Sequence, residues 1–459
     1  MKYKNSNIII RESGKEKLMK KLVGKVLAST LAVSTILGAV PAFASGTDGA
    51  TQGTNTFVDG GTDIQFWTFQ ELHVPFWTSM ADEWNKQNPD RPINITVTTG
   101  ESHALHEKLL TACAAGEGTP DMADIEIGYY GSFLNGGYLI PIDDAVEPYK
   151  NDIVYSRVSM YGDGEHVYGA DFHLGATVTY YNMDIMNEAG VDPSKIDTWD
   201  DFAAAGKTVL EKTGKPMACV EVNDLFLPQA MLLEKGSQYV DEDGNPSIAN
   251  QDHADVINFI RQMIKDGTIQ IAPGGGFHTE EWYGFMNNGG CASITMPLWY
   301  MGRFTDYMTD LKGKMAIYPM PVWKSGDVHE VLQGGTGTSV IKGAKDEQLC
   351  KDFLAFAKLS KEGCTYEWEK LGFDPIRTEL WDDKTITEDP DNKFLQFFTT
   401  NPFDILKANG TDITAPNIRG AYSATYSVLV STTYANAFEN SVDEDAMQLL
   451  QDEQDTIVY

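Results

Sequence analysis

A repeated alternation of short β-rich runs with longer stretches of helical spacing constrains this chain more than any other feature. Residues 64–69 ("IQFWTF") read as a strand and 74–88 as a helix stopped by "NPD". Residues 93–98 alternate apolar and polar as a strand with one covered face, and 102–115 read as a helix ending at Gly116. A short strand at 122–126 follows the turn "GTPD". Strands separated by helices in this order predict an α/β protein whose sheets are covered by helices on both faces. The pattern persists further along. "ATVTYYN" (176–182) is β-rich, and "TWDDFAAAGKTVLEKTG" opens on Thr198 as an N-cap, with Asp200 and Asp201 in the first helical turn and Gly214 at its end. "VDEDGNPSI" reads as a turn between two short strands, "DHADVINFIRQMIKDG" as an amphipathic helix, and "EEWYGFMNNGG" as the approach to a strand "CASITM". "EQLCKDFLAFAKLS" reads as a further helix. With 459 residues the chain has length for two such domains.

The formal net charge of −31 argues against a nucleic-acid partner, because phosphate neutralisation needs clustered Lys and Arg, and against docking on anionic lipid. It fits a well-solvated exported protein. From Met19 the chain reads "MKKLVGKVLASTLAVSTILGAVPAFA": a basic start, an apolar run at 26–40 and a small-x-small end at Ala42, Phe43 and Ala44. That is the pattern of a secretory signal peptide occupying 1–44, with Met19 as an alternative start. The apolar run is short and interrupted by Ser, Thr and Gly, unlike a membrane span. Residues 45–60, rich in Gly and Thr, read as a flexible linker. The five cysteines, Cys113, Cys219, Cys291, Cys350 and Cys364, have no C-x-x-C spacing and read as buried free thiols instead of a zinc or disulfide framework. None lies beside the cleavage site, so the leader offers no lipid-attachment point.

Catalytic signatures are approached and missed. "HEKLL" at His106 lacks a second His four residues on, "GGTGTS" (334–339) lacks the P-loop Lys, and "DEDGN" (241–245) lacks the spaced ligands of a calcium loop. No G-x-S-x-G elbow occurs. With 66 acidic residues a carboxylate pair for glycoside cleavage stays open, but no pair is singled out. What stands out is aromatic residues beside polar ones where loops are expected: "WTFQELH", "IEIGYYGSF" and "PLWYMGRF" at or after strand ends, "GADFHLG" before a strand, and "VLQGGTG" late in the chain. In an open α/β sheet, ligands bind at the carboxyl ends of strands. Flat aromatic faces suit the C–H faces of sugar rings, and Asp, Glu, Asn, Gln and His suit their hydroxyls.

These residues carry a resemblance. "IQFWTFQ…FWTSMADEWNKQNPD", "KLLTACAAGEGTPDMADI", "NGGYLIPIDD", "YGADFHLGATVTYYNMDIMNEAGVD" and "FMNNGGCASITMPLWYMGRF" resemble the extracellular sugar-binding proteins of ABC importers, the family 1 solute-binding proteins related to maltose-binding protein. Ala170 and Asp171 stand where that family commonly has a small residue and Pro. The run "LQGGTGTSVIKGAKDEQLCKDFLAFAKLSKEG…LGFDPIR" is similar to the subtype that binds arabinose-containing oligosaccharides. Family members of Gram-positive origin usually carry a lipobox Cys where this chain has "AVPAFASG".

The resemblance implies a two-lobed α/β fold of the type II periplasmic-binding-protein class, clamping its ligand between lobes joined by hinge crossovers. The implied lobes are 61–172 plus 320–372 and 173–319 plus 373–459, with hinges near 172–176, 319–321 and 372–375. It implies a non-catalytic monomer with no cofactor or metal, whose partners are an oligosaccharide and the transmembrane subunits of a permease. Trp67, Tyr129, Trp282, Trp299 and Tyr300 are then the candidate stacking platforms. Gln70, Glu71, His73, Glu126, Asp171, His173, Glu221, Asn223 and Gln333 are the candidate hydroxyl partners. Asp374 and Arg377 read as a local ion pair at the hinge. A secreted carbohydrate-active enzyme, or the same fold holding a polyamine, peptide or metal chelate, stays open at this level.

Overall fold

The computed structural model describes residues 52–459 other than Val328 and Asp412; the leader read at 1–44 lies outside the described residues. Eleven strands form in chain order: β1 (Gln52–Thr54), β2 (Thr62–Thr68), β3 (Ile93–Thr99), β4 (Met122–Glu126), β5 (Gly169–Ala170), β6 (Thr177–Asn182), β7 (Ala218–Val220), β8 (Ile269–Ile271), β9 (Ser293–Pro297), β10 (Met315–Pro319) and β11 (Thr336–Val340). They make a six-stranded sheet ordered β1-β3-β2-β4-β11-β5, a three-stranded sheet β10-β6-β9 and a two-stranded sheet β7-β8. The chain is a two-lobed α/β protein, one lobe built on the six-stranded sheet and the other on the smaller two.

Local sequence explains most of this. In β3, Ile93, Ile95, Val97 and Thr99 are buried and the residues between them partly exposed, a period of two that places one row on the core. β2 pairs in parallel with β3 and β4 because the helices His73–Gln87 and Ser102–Ala115 carry the chain back between successive strands. That helix buries Val74, Phe76, Trp77, Met80, Ala81 and Trp84. The helix Ser102–Ala115 stops at Gly116 (φ 69°). The helix Trp199–Thr213 starts in a reciprocal capping box between Thr198 and Asp201. The stretch "VDEDGNPSI" forms one isolated bridge between Val240 and Pro246, and no pair of strands.

Three segments cross between the lobes side by side. Leu174 N–H donates to Asp374 O (2.8 Å), Ala176 N–H to Asp374 Oδ2 (2.9 Å), and Gln333 N–H to Gly175 O (3.0 Å). Arg157, buried in the first lobe, ties the bundle together by donating to His173 O (3.0 Å) and Gly334 O (2.8 Å). Gly335 adopts φ 136°, and a side chain there would run into Asp171 and Arg157, so the crossing needs glycine.

Three expectations need correction. Residues 52–60, read as part of a flexible linker, are fastened to the sheet. β1 pairs with β3, Asn55 Nδ2 donates to Ile93 O (3.2 Å), and Val58 N–H donates to Asn94 Oδ1 (2.8 Å). The Gly/Thr composition concealed an edge strand whose bonds are mostly to backbone and Asn. Asp374 and Arg377 do not pair. Arg377 reaches Asp152 (3.1 Å) and Leu359 O (2.8 Å), while Asp374 serves the backbone of the first crossing. Residues 320–331 stay with the second lobe: Val322 exchanges hydrogen bonds with Asp197 and Trp199, and Met320 and Val331 pack on Ala230 and Leu233. The five cysteines are free, and all but Cys113 are buried.

Candidate functional site

The crossings, the carboxyl ends of the first-lobe strands and several second-lobe loops enclose a cavity of about 380 Å³. That lies within the range of small-molecule sites, roughly 300–1,000 Å³. The first lobe supplies Phe69, Gln70, His73, Glu126 and Thr336; the crossings supply Phe172, His173, Gly334, Gly335 and Phe373. The second lobe supplies Asp224, Phe226, Gln229, His278, Trp299, Arg303, Tyr422 and Tyr426. Across one side the lobes touch: Asn135 Nδ2 donates to Gly420 O (2.7 Å), and Gly128 lies against the Tyr426 ring.

Trp299 is the aromatic centre. It follows β9 on the turn Leu298–Tyr300 and is half-buried. The His278 ring lies nearly parallel to it (centroids 5.9 Å, 13°), Phe226 meets it edge-on (5.5 Å, 63°), and His173 leans on it (6.2 Å, 33°). Its indole N–H donates to Gln333 O (3.2 Å). The first-lobe wall is polar. His73 Nδ1 and Asp124 Oδ2 are 2.9 Å apart, and His73 lies against Phe172 (4.0 Å). Ser102 Oγ donates to Glu126 Oε2 (2.7 Å).

Three ionisable groups of the wall, Asp224, Glu126 and His173, are held away from their usual states. Burial, assisted by Glu126, pushes the Asp224 carboxyl up to about 7. Burial raises Glu126 as well, against the hydrogen bond from Ser102. Burial drives the His173 imidazole down to about 3, so it is neutral at pH 7 despite Asp171 nearby. A neutral imidazole and raised carboxyls beside aromatic faces suit the hydroxyls and C–H faces of a sugar on this part of the wall.

Of the residues expected to touch ligand, Gln70, His73, Glu126, His173 and Trp299 line the cavity. The others are placed elsewhere. Trp67 is 8% exposed within β2 and faces away from the cavity, under Leu105 and Leu109 with Lys108 Nζ 4.4 Å from its ring. β2 runs on through Thr68, and helices cover both faces of that sheet, so a Trp in the strand is packed and not presented. Tyr129 stacks on His106 (4.3 Å, 8°), and Glu71 and Asn223 are exposed outside the cavity wall. Asp171 is consumed by Arg157 (2.8 Å) and by the Tyr161 hydroxyl. Burial opposes its charge, yet the Arg157 guanidinium, with Lys358, holds it below the usual carboxylate range.

Four more expected residues support the site from behind. Trp282 donates to Tyr300 Oη (3.0 Å), and Tyr300 donates to Phe277 O (2.5 Å), fixing the loop that carries His278. Glu221 accepts from Phe277 N–H (2.8 Å), and burial, with Asp224 beside it, pushes its carboxyl far up. Gln333 is fully buried; its Nε2 donates to Phe226 O (2.8 Å) and Gln229 Oε1 (3.0 Å), and it accepts from Thr177 Oγ1 (3.0 Å).

Sequence reasoning missed Phe69, Asp224, Phe226, Gln229, His278, Phe373, Tyr422 and Tyr426. A signal existed for Tyr422 and Tyr426, spaced i, i+4 in "YSATY" and therefore on one helical face. "VNDLF" placed Asp224 and Phe226 beside residues already singled out.

Comparisons with known proteins follow this geometry. An arabinooligosaccharide-binding protein of Bacillus subtilis (strain 168) is 44% identical over 352 residues, covering 76% of this chain and 81% of its own. A lactose-binding protein of Rhizobium radiobacter is 25% identical over 300 residues, 64% of this chain and 69% of its own. Among solved structures, the galacto-N-biose-/lacto-N-biose I-binding protein of Bifidobacterium longum matches with a TM-score of 0.68 at 20% identity, covering 87% of this chain and 97% of that one. An ABC-transporter binding protein of B. animalis subsp. lactis, solved with β-1,6-galactobiose, matches at 0.69 and 18% identity with the same coverage. At these identities the structures bear on the fold. The model of the bacterial extracellular solute-binding proteins matches residues 71–363, and the chain belongs to that family.

Proposed function

We propose that the chain is the extracytoplasmic substrate-binding subunit of an ABC importer. It captures an arabino-oligosaccharide or a related oligosaccharide in the interlobe cavity and delivers it to the permease. The observation that carries this is a cavity lined by Trp299 and its aromatic neighbours and by hydrogen-bonding side chains such as Gln70, His173 and Gln229, in a chain 44% identical to an arabinooligosaccharide-binding protein. In this reading the protein works as a non-catalytic monomer without cofactor, exported by the leader at 1–44. No helix among the described residues is long and apolar enough to cross a membrane.

The lobes divide at the hydrogen-bonded crossings, so the second crossing in our reading lies at 331–335 and not at 319–321. Ligand bound to both walls favours the closed arrangement of a pre-existing equilibrium. The test is calorimetric titration of the mature chain with arabinotriose and other neutral oligosaccharides, with sugar products followed in parallel. Saturable binding without product release is expected. Turnover would overturn the non-catalytic reading, and absence of binding to every oligosaccharide would overturn the ligand class.

A further inference from the structure

Charge is distributed unevenly over the cavity wall. Asp224, Glu126 and Tyr426 lie close enough to act on one another's protonation. From there a chain of contacts runs through Phe226, Trp299 and His278 to Arg303, whose charge acts on His278. Around Arg303 the lining becomes basic, with Lys370 and Lys393 on the segments that face it. A side chain added at Gly302 would meet Leu371 O, and Lys393 Nζ bonds Asp306 Oδ1 (3.0 Å), which brings these segments into one patch. In a chain with 35 basic and 66 acidic residues, three cations on one wall are not expected from composition.

Their partners decide what the patch can do. Lys393 is neutralised by Asp306, and the carboxylate paired with Lys370 among the described residues is Glu369, at 3.9 Å. Arg303 is half-buried, and its guanidinium lies 5.9 Å from the Tyr307 ring centroid. Among the described residues it is the one arginine without a carboxylate or any other hydrogen-bond acceptor. Arg91, Arg157 and Arg377 have carboxylates at 2.8, 2.8 and 3.1 Å, Arg261 has Ala437 O at 2.8 Å, and Arg419 has Asn417 Oδ1 at 3.2 Å. A guanidinium presents five donors in a planar fork matched to a carboxylate, whereas a sugar hydroxyl accepts from it singly.

We propose that this wall is a subsite for a carboxylated sugar: a uronic acid unit of the bound oligosaccharide, its carboxylate held by Arg303 with Lys370 beside it. The inference rests on the cavity being an oligosaccharide site.

The test uses the mature chain and three probes. These are arabinotriose, a xylotriose carrying one hexuronic acid, and the same compound with its carboxyl reduced to a hydroxymethyl group. Calorimetry should give the acid a tighter affinity than its reduced form by on the order of tenfold, the scale of a charge-assisted bond. The preference should shrink as salt rises. Arg303→Gln should bring the ratio of the two affinities to within about twofold, and Arg303→Lys should retain part of it. Equal affinities of the wild-type chain for the acid and its reduced form would overturn the subsite, whether or not a variant folds. So would a ratio that survives Arg303→Gln. Binding of the acid alone would support the subsite and remove the neutral ligand class, whereas no binding of any probe would remove both.

Discussion

Two tryptophans separate packing from ligand contact in this fold, and replacing each by Ala tests the division. Trp299 is half-buried, bordered by His278, Phe226 and His173, and its one hydrogen bond goes to a carbonyl at the cavity wall. Removing it opens space that water can enter and leaves Gln333 O solvated, so folding stability should change little. Ligand affinity should fall, because a desolvated aromatic anchor in a binding pocket contributes about 1–3 kcal/mol, or roughly 5–150-fold in Kd. Trp67 is 8% exposed between the sheet and the helix Ser102–Ala115. Trp67→Ala leaves a cavity there, and the usual cost of such a truncation is about 3–5 kcal/mol of stability. Urea unfolding of both variants, with calorimetric titration against arabinotriose below the unfolding transition, should give opposite patterns. The assignment fails if Trp299→Ala keeps affinity within twofold, or if folded Trp67→Ala loses affinity as severely as Trp299→Ala.

Three further outcomes are expected. Gln333→Ala leaves Phe226 O, Gln229 and Thr177 without their shared partner in a fully buried place, so urea unfolding should show a loss of at least about 1–3 kcal/mol together with weaker ligand binding. Arg157→Met strips the buried Asp171 of its counter-charge and unties two crossings; a loss of about 3–5 kcal/mol is expected, and a loss under about 1 kcal/mol would refute the role given to the pair. Burial pushes the Glu330 carboxyl, whose oxygens have no hydrogen-bond partner among the described residues, up to about 8. The folded chain therefore keeps a proton that the unfolded chain releases near pH 4.5. Glu330's contribution is full below that pH and is lost as pH rises through about 8. The stability of Glu330→Gln relative to wild type should thus grow from pH 5 to pH 8 and then level off, by on the order of a few kcal/mol. A difference that does not vary with pH would show Glu330 ionised in the folded state.

The elements were legible wherever a local rule sufficed. Residues 122–126 and 102–115 form the strand and helix their patterns announce, and Thr198 and Gly214 cap the helix between them. Trp299 was found because aromatic and polar residues just beyond a strand mark the sheet's carboxyl edge, and His173 because it sits among such residues in the loop before one. Trp67 was misplaced by the same rule: it lies inside the strand Thr62–Thr68, and a residue of a sheet covered on both faces is packed even next to the strand's end. Arg303 was overlooked within "PLWYMGRF", because no local pattern tells that an arginine will find no acceptor.

The sequence by itself determined an acidic α/β chain of two-domain length and a family, because periodicity, capping and composition are properties of neighbouring residues. Only the tertiary structure decided which wall each residue faces. The cavity gathers Gln70, Asp224, His278, Trp299, Phe373 and Tyr422 from segments hundreds of positions apart, and their burial, charge state and free hydrogen-bonding capacity arise only once three crossings bring them together.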